Sequence, residues 1–280
     1  MKMMKLNSNV EMPMLGFGTF QVTDPAECEC SIIEAVKVGY RLIDTAQAYG
    51  NEEAVGSGIR NCGVAREELF ITTKVWFHNY ESGDCRASVS ESMNKLGVEY
   101  LDMVLLHWPF GNTYAAWRDL EALYEEGKIR AIGVSNFEPD RLIDFIKFNN
   151  VAPALNQIET NVLCQRVEEH KWMEKYKVAH QAYAPLGQGR VAELLANPEV
   201  CAIATSRGKT PAQIMLRFLI ESGVSVIPKT VHVDRMKENL NIFDFELTDN
   251  EMTRLRALDT GRAAIGNPED PEKVEFAMTW

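Results

Sequence analysis

Three apolar runs each end on a residue able to move or steer a proton. Leu42-Ile43 ends on Asp44, Phe70-Ile71-Thr72-Thr73 on Lys74, and Met103-Val104-Leu105-Leu106 on His107. Five residues beyond Asp44 stands Tyr49, beside Gly50 and just before a helix that Asn51 is placed to cap. A free phenol has a pKa of about 10, so at neutral pH it holds a proton it can give away. A neighbouring cation stabilises the phenolate and makes it a better acid. Lys74 is the candidate cation, Asp44 the group that keeps it charged and aimed, and His107 a partner for the oxygen of a bound carbonyl. That set delivers a proton to a carbonyl oxygen while something else attacks the carbon. No HExxH and no clustered cysteines occur, so no metal set is expected.

The attacking reagent is legible in further strand ends. Ser135 and Asn136 follow Ala131 to Val134, Gln157 follows Ala154-Leu155-Asn156, Tyr183 follows Ala182, and Lys229 follows Val226-Ile227-Pro228. Ser135, Asn136 and Gln157 can bond a carboxamide, and Tyr183 can stack on a flat ring. These groups suit a nicotinamide that gives hydride. No GxGxxG follows a strand, which excludes the doubly wound dinucleotide fold. Gly187-Gln188-Gly189-Arg190 lets backbone approach a phosphate. Lys229 and Thr230, then Arg235, Glu238 and Asn239, follow the last strand. Lys229 and Arg235 make a clamp for a 2′-phosphate, which favours NADPH over NADH. Phe20, Tyr49, Trp76 and Trp108 are candidates for a substrate wall with His107, whereas Trp280 reads as rim packing. An aromatic, nearly neutral wall suits small or flat carbonyls.

These side chains work together only if a scaffold brings them to one place. Strand cores fall near Phe17, Ile43, Ile71, Leu105, Ile132, Leu155, Ala182 and Ile227, mostly about thirty residues apart, the size of one βα unit. Helices fill the gaps. Asp24-Pro25-Ala26-Glu27, Thr210-Pro211-Ala212-Gln213 and Thr248-Asp249-Asn250-Glu251 each open one; Gly39 and Gly223 stop the first two of these, and Gly97 and Gly127 stop two more. The longest gap, after Ala182, has room for an extra helix. Eight such units predict an α/β fold, a (β/α)8 barrel whose strand ends meet at one mouth. Lys5 to Met12 reads as an N-terminal β-hairpin. No linker or low-complexity tract appears, so residues 1–280 are expected to form a single barrel domain.

Bulk properties narrow the partners. The 280-residue chain is 46% hydrophobic and carries a net charge of -11, which disfavours nucleic acid and anionic membrane surfaces. No run approaches the roughly 18 apolar residues of a membrane span. No secretory signal is visible, so the six scattered cysteines are expected as reduced thiols in a cytoplasmic protein. A monomer or weak homodimer is expected.

Across nearly its whole length the chain resembles the aldo-keto reductase family. The motifs are Leu15-Gly16-Phe17-Gly18-Thr19, Gly39 to Ala46 with Tyr49 to Glu52, Thr73-Lys74-Val75-Trp76, Leu106-His107-Trp108-Pro109, Gly133-Val134-Ser135-Asn136-Phe137, Asn156-Gln157, Tyr183-Ala184-Pro185-Leu186-Gly187, and Ile227-Pro228-Lys229 with Arg235, Glu238 and Asn239. The resemblance implies carbonyl reduction by NADPH, which leaves as NADP+, on a barrel. It implies Tyr49 as acid, Lys74 and Asp44 as its tuners and His107 as the substrate-orienting group. The cofactor contacts it implies are Gly18, Thr19, Asp44, Ser135, Asn136, Gln157, Tyr183, Pro185, Leu186, Gly187, Gly189, Lys229, Thr230, Arg235, Glu238 and Asn239. The chain is similar to compact microbial members, including those reducing 2,5-diketo-D-gluconate and methylglyoxal. It departs from many members at Asn161-Val162 (elsewhere His-Pro), Ala184 (Ser), Phe77 (Asn) and Phe20 (Trp). Two other readings use the same residues. One is a Schiff-base lyase with Lys74 as nucleophile; the other is a non-catalytic, NADPH-binding redox-sensing subunit.

Overall fold

The structure, a computed structural model, describes residues 2–81, 83–265 and 267–279. Trp280 lies outside the described residues. The chain opens on a hairpin, β1 (Met3–Lys5) and β2 (Glu11–Pro13), antiparallel with Met4 opposite Met12. Eight parallel strands follow, each bonded to the next: β3 (Phe17–Gly18), β4 (Leu42–Asp44), β5 (Phe70–Val75), β6 (Met103–Leu106), β7 (Ile132–Ser135), β8 (Leu155–Glu159), β9 (Ala179–Tyr183) and β10 (Ser225–Val226). Helices α1 (Pro25–Val38), α2 (Glu52–Asn61), α3 (Asp84–Leu96), α4 (Thr113–Glu125), α5 (Pro139–Phe148) and α6 (Val167–Lys175) connect them. The β9–β10 gap holds α7 (Val191–Leu195), α8 (Pro198–Arg207) and α9 (Pro211–Glu221), and α10 (Val233–Leu240), α11 (Asp249–Arg256) and α12 (Pro271–Ala277) complete the order.

Strand alternation decides which side chains point inward. Leu42, Phe70, Met103, Leu105, Ala131, Leu155 and Ile227 pack in one cluster with Leu6 and Met12 of the hairpin, inside the ring of strands. Their neighbours Ile43, Ile71, Val104, Leu106, Ile132, Ile158 and Ala182 pack outward in the larger cluster shared with the helices. With a period of two, Asp44 must face the way Leu42 does, Lys74 the way Phe70 does and Gln157 the way Leu155 does. A one-residue slip of any strand would swap both clusters, so burial locks the register.

The ring closes between its first and last strands. Leu15 bridges Val226 in parallel, Val226 N–H donates to Met14 O at 2.8 Å and Gly16 N–H to Val226 O at 2.8 Å. Gly18 is needed there, because a Cβ on it would lie 2.9 Å from the Ile227 carbonyl oxygen. The eighth strand ends one residue before the predicted core at Ile227. Pro228 has no N–H to extend a ladder, although its carbonyl still accepts from Gly18 N–H at 3.2 Å.

The caps form largely as their residues predict. Asp24 accepts from Glu27 N–H at the start of α1, and Thr210 with Gln213 and Thr248 with Glu251 make complete capping boxes. Asn51 does not cap α2. Its side chain instead accepts from Thr45 Oγ1 at 2.9 Å and donates to the carbonyls of Thr19 and Val22, at 3.0 and 3.1 Å. It ties the loop after β3 to the loop after β4.

Candidate active site

At the C-terminal mouth of the strands lies a cavity of about 950 Å3. Lys74, fully buried on β5, lies beneath its floor. The ammonium group reaches Asp44 Oδ1 at 2.5 Å, Thr45 O at 2.9 Å and Tyr49 Oη at 3.2 Å. Asp44, 1% exposed, also accepts from Gln157 Nε2 at 2.8 Å. A buried charge pair is tolerable only when both partners are paired and hydrogen-bonded, and here both are. Tyr49 sits on a short 3-10 turn, Gln47–Tyr49, closed by Gly50 in the left-handed conformation at φ 65. Its ring lies 4.9 Å from Phe20 and edge-on, 5.8 Å, to His107.

Electrostatics divide these groups. Burial works to discharge Lys74, but Asp44 and Tyr49 outweigh it and hold the ammonium pKa above its usual value. Tyr49 also shifts upward: burial raises it, Lys74 lowers it and Asp44 raises it. The net direction is opposite to the expected lowering, because desolvation exceeds the pull of one ammonium already neutralised by Asp44. The phenol is therefore firmly protonated. Burial, then Lys74, pushes His107 well below the ordinary imidazole value, so its ring is neutral. Among the described residues, the buried His107 Nδ1 has no hydrogen-bond partner.

The nicotinamide candidates interlock. Ser135 Oγ donates to Gln157 O at 2.7 Å, and Tyr183 Oη donates to Asn136 Oδ1 at 2.9 Å. Asn136 Nδ2 donates to His107 O at 3.1 Å from a backbone at φ 62, which breaks strand alternation and turns its side chain toward the mouth. Gln157 gives its amide to Asp44 and to Gln181 Oε1, both at 2.8 Å, so its oxygen is the end left for a ligand. At the other end, Lys229 and Arg235 are exposed at the cavity wall, and Glu238 accepts from Thr210 Oγ1 at 2.6 Å.

Most of the predicted residues line this one cavity, from Gly18 and Phe20 through Trp76, Trp108, Pro185, Leu186 and Gly189 to Thr230 and Asn239. Lys74, Thr19 and Gly187 do not. Lys74 acts from beneath. Thr19 Oγ1 donates to Asp44 O at 3.0 Å and braces the strand end. Gly187, at φ 72, shapes the turn, where a Cβ would lie 2.7 Å from Leu194 Cδ2.

A residue pattern that defines the aldo/keto reductase family matches residues 14–260. The chain belongs to the aldo-keto reductase family. As a member it is an oxidoreductase that reduces carbonyl groups. It is 42% identical over 267 residues to the glyoxal reductase of Bacillus subtilis, covering 95% of this chain and 96% of that one. Among solved structures, an aldo-keto reductase from a Medee basin deep-sea metagenome library superposes with a TM-score of 0.93 at 38% identity, covering 96% of this chain and 99% of that one. A silkworm (Bombyx mori) aldo-keto reductase complexed with NADPH gives a TM-score of 0.89 at 35% identity, covering 94% and 89%.

Two of the departures of this aldo-keto reductase, Phe77 and Asn161, have local accommodations. Phe77 is buried and packs 4.5 Å from the Trp76 ring and 5.9 Å from Phe110. Asn161 closes its own turn: its side chain accepts from Leu163 N–H at 3.0 Å, and its backbone pairs with Cys164 in both directions. The residue pattern missed the far wall of the cavity. Ala264, Ile265, Lys273 and Phe276 of the C-terminal segment line it. Glu159, buried at the end of β8, holds that segment by accepting from Ala264 N–H and Ile265 N–H, at 3.0 and 2.7 Å. Nothing local in the sequence pairs residues more than a hundred positions apart. The inward alternation of Glu159 with Gln157 was the available signal.

Proposed function

We propose that this reductase uses NADPH to convert small aldehydes and ketones to alcohols, with Tyr49 as the proton donor. The observation that carries it is the position of Lys74 Nζ, 2.5 Å from Asp44 and 3.2 Å from Tyr49, under a cavity edged by His107. NADPH fits the residues present. Tyr183 offers a ring face, and Gln157 and Asn136 offer amide oxygens. Gly18 leaves room beside Lys229, and Lys229 and Arg235 are two exposed cations at the same cavity. Bound there, NADPH supplies hydride to the carbonyl carbon.

The chain's own groups do the rest. His107, neutral, orients the carbonyl oxygen toward the Tyr49 hydroxyl. Tyr49 gives its proton to that oxygen as negative charge builds on it, and Lys74 stabilises the phenolate left behind. Solvent then returns the proton to Tyr49. Asp44 keeps Lys74 charged, and Arg235 with Lys229 prefers a 2′-phosphate to a hydroxyl. Phe20, Trp76 and Trp108 form an aromatic wall suited to small or flat substrates, and the similarity to a glyoxal reductase agrees with that size. Lys74 is a poor Schiff-base nucleophile, since its three bonds and raised pKa keep it protonated. We place the enzyme in the cytoplasm as one catalytic unit over residues 1–280, monomeric or weakly dimeric. Its cysteines are free, and no helix among the described residues is long and apolar enough to cross a membrane.

Following NADPH oxidation against a panel of aldehydes, ketones and keto-sugars tests the substrate class. Tyr49→Phe should cut turnover by about 10²–10⁴-fold with NADPH affinity kept. Undiminished turnover in that variant overturns the proton-donor role.

A further inference from the structure

Glu52 is the one ionisable residue of the Asp44–Glu52 stretch that the proposed mechanism leaves without a role. It is the first residue of α2, three positions after Tyr49, and is 3% exposed. Among the described residues it makes no direct salt bridge; the cation acting on it, Lys95 of α3, is paired with Glu91. Its carboxylate accepts from Thr73 Oγ1 at 2.6 Å and from Ser92 Oγ at 3.2 Å. Ser92 Oγ accepts from Gln47 Nε2 at 3.1 Å. Gln47 Oε1 in turn accepts from Trp76 N–H at 3.0 Å and Asn79 Nδ2 at 3.1 Å.

The chain of bonds has a definite shape. Gln47 opens the turn that carries Tyr49, and Glu52 follows it at the start of α2. Thr73 is the outward-facing neighbour of Lys74 on β5, and Trp76 lies two residues beyond Lys74. Both ends of the Tyr49 turn are thus fastened to the strand that carries Lys74, and Ser92 of α3 completes the loop between them. Tyr49 itself has one side-chain hydrogen bond among the described residues, the 3.2 Å contact from Lys74. That contact is set by where the backbone turn stands, not by other bonds to the phenol. A buried carboxylate with no cation in contact is costly: burial raises the Glu52 pKa against the weaker pull of Thr73, Ser92 and the more distant Lys95 of α3, whose own partner Glu91 opposes it. It is sustained by two hydroxyl donors and by the positive end of α2. An apolar residue would avoid that cost but could not make the tie.

We propose that Glu52 is a positioning residue: through Thr73, and through Ser92 and Gln47, it holds the Tyr49 turn against the Lys74 strand and so sets the distance at which the phenol and the ammonium meet. The inference rests on the proposed role of Tyr49 as proton donor. Glu52 touches neither substrate nor cofactor.

The test is single-turnover NADPH oxidation across pH for Glu52→Ala, Glu52→Gln, Thr73→Val and Ser92→Ala, with Tyr49→Phe as reference. A misplacement of about 1 Å costs on the order of 10²-fold in rate. Glu52→Ala should lose roughly that much in the chemical step, with KM and NADPH affinity changed less than about twofold. Its alkaline limb should move to higher pH, since a phenol drawn away from Lys74 is a weaker acid. Glu52→Gln, which still accepts from Thr73, should recover most of the rate. Should Glu52→Ala fail to fold, Thr73→Val and Ser92→Ala each remove one strut and should show smaller losses with the same alkaline displacement. Unchanged rate and pH limb in the folded variants overturns the inference, as does a loss of rate matched by loss of NADPH affinity with the limb unmoved. If Tyr49→Phe stays active, the proton-donor reading fails whatever Glu52 does. If Tyr49→Phe is dead while the Glu52 variants are unaffected, only the positioning role fails.

Discussion

Tyr49 keeps its proton because burial outweighs the ammonium beside it, and His107 stays neutral because burial and that same ammonium both oppose a second charge. Both directions have consequences for the pH dependence of the reductase. A histidine with its pKa well below 6.5 does not titrate near neutrality. The rate kcat/KM should therefore run flat through pH 6.5; a limb there that disappears in His107→Gln would contradict the neutral ring. Lys74→Met removes the one group that lowers the Tyr49 pKa, so the phenol should become a weaker acid still. Turnover should fall by about 10²–10⁴-fold while NADPH still quenches protein fluorescence with near-native affinity. Arg235→Ala removes a charge-assisted hydrogen bond worth about 1.5–3 kcal/mol. NADPH affinity should drop by roughly 10- to 100-fold with NADH affinity unchanged, as measured by fluorescence titration. Equal losses for both would remove the 2′-phosphate from the account.

At the scale of elements, the site is assembled from the ends of strands and the starts of helices, and some residues serve both. Thr210 caps α9 through Gln213 N–H and also donates to Glu238 of α10 at 2.6 Å. Thr210→Ala loses the cap, which costs about 1 kcal/mol. In a chain of this size that should lower Tm by about 2–4 °C by calorimetry. It should also weaken NADPH binding, because Glu238 loses its donor; a lowered Tm with unaltered affinity would confine Thr210 to capping. Asn51 shows how element-level reading errs. An asparagine just before a helix is a good cap candidate, yet this one is spent on Thr45 and on two carbonyls of the preceding loop. Three buried partners outcompete one helix-end N–H, and only the packed structure brings those partners near.

For the molecule as a whole, buried histidines set the response to acid. His180 on β9 is 2% exposed, with His170 Nδ1 3.0 Å from its own Nδ1 and Thr160 Oγ1 2.8 Å from its Nε2. Thr160 Oγ1 donates to Ile158 O, so it accepts from His180 Nε2–H. His180 Nδ1 is then the acceptor and His170 Nδ1 the donor. Protonating His180 would aim two N–H groups at each other. Burial and His170 push its pKa well below 6.5, and burial lowers His170 as well. The unfolded chain takes up protons as pH falls through about 6.5, while the folded chain resists until well below. The stability from these rings is therefore fully present above that pH and lost beneath it. Each ring that stays neutral contributes a slope of about 1.4 kcal/mol per pH unit. Urea midpoints should fall between pH 7.5 and 5.5, above the range where most carboxylates titrate. An unchanged midpoint would show that the rings ionise freely in the fold.

The order of apolar runs, the period of two within them and the turn chemistry between them were enough to specify a barrel and to aim Asp44, Lys74, His107 and Gln157 at its mouth. Those are local properties, because a strand's inward face follows from its own alternation and a helix start from its own first turn. Distance is a different matter. That Gln157 reaches Asp44 across 113 positions, that Glu159 holds residues 264 and 265, and that Glu52 fastens to Thr73 and Ser92 were decided only when closure of the ring brought remote segments into contact. A hydrogen bond needs its partners within a few tenths of an ångström, and no spacing along a chain encodes that across a folded core.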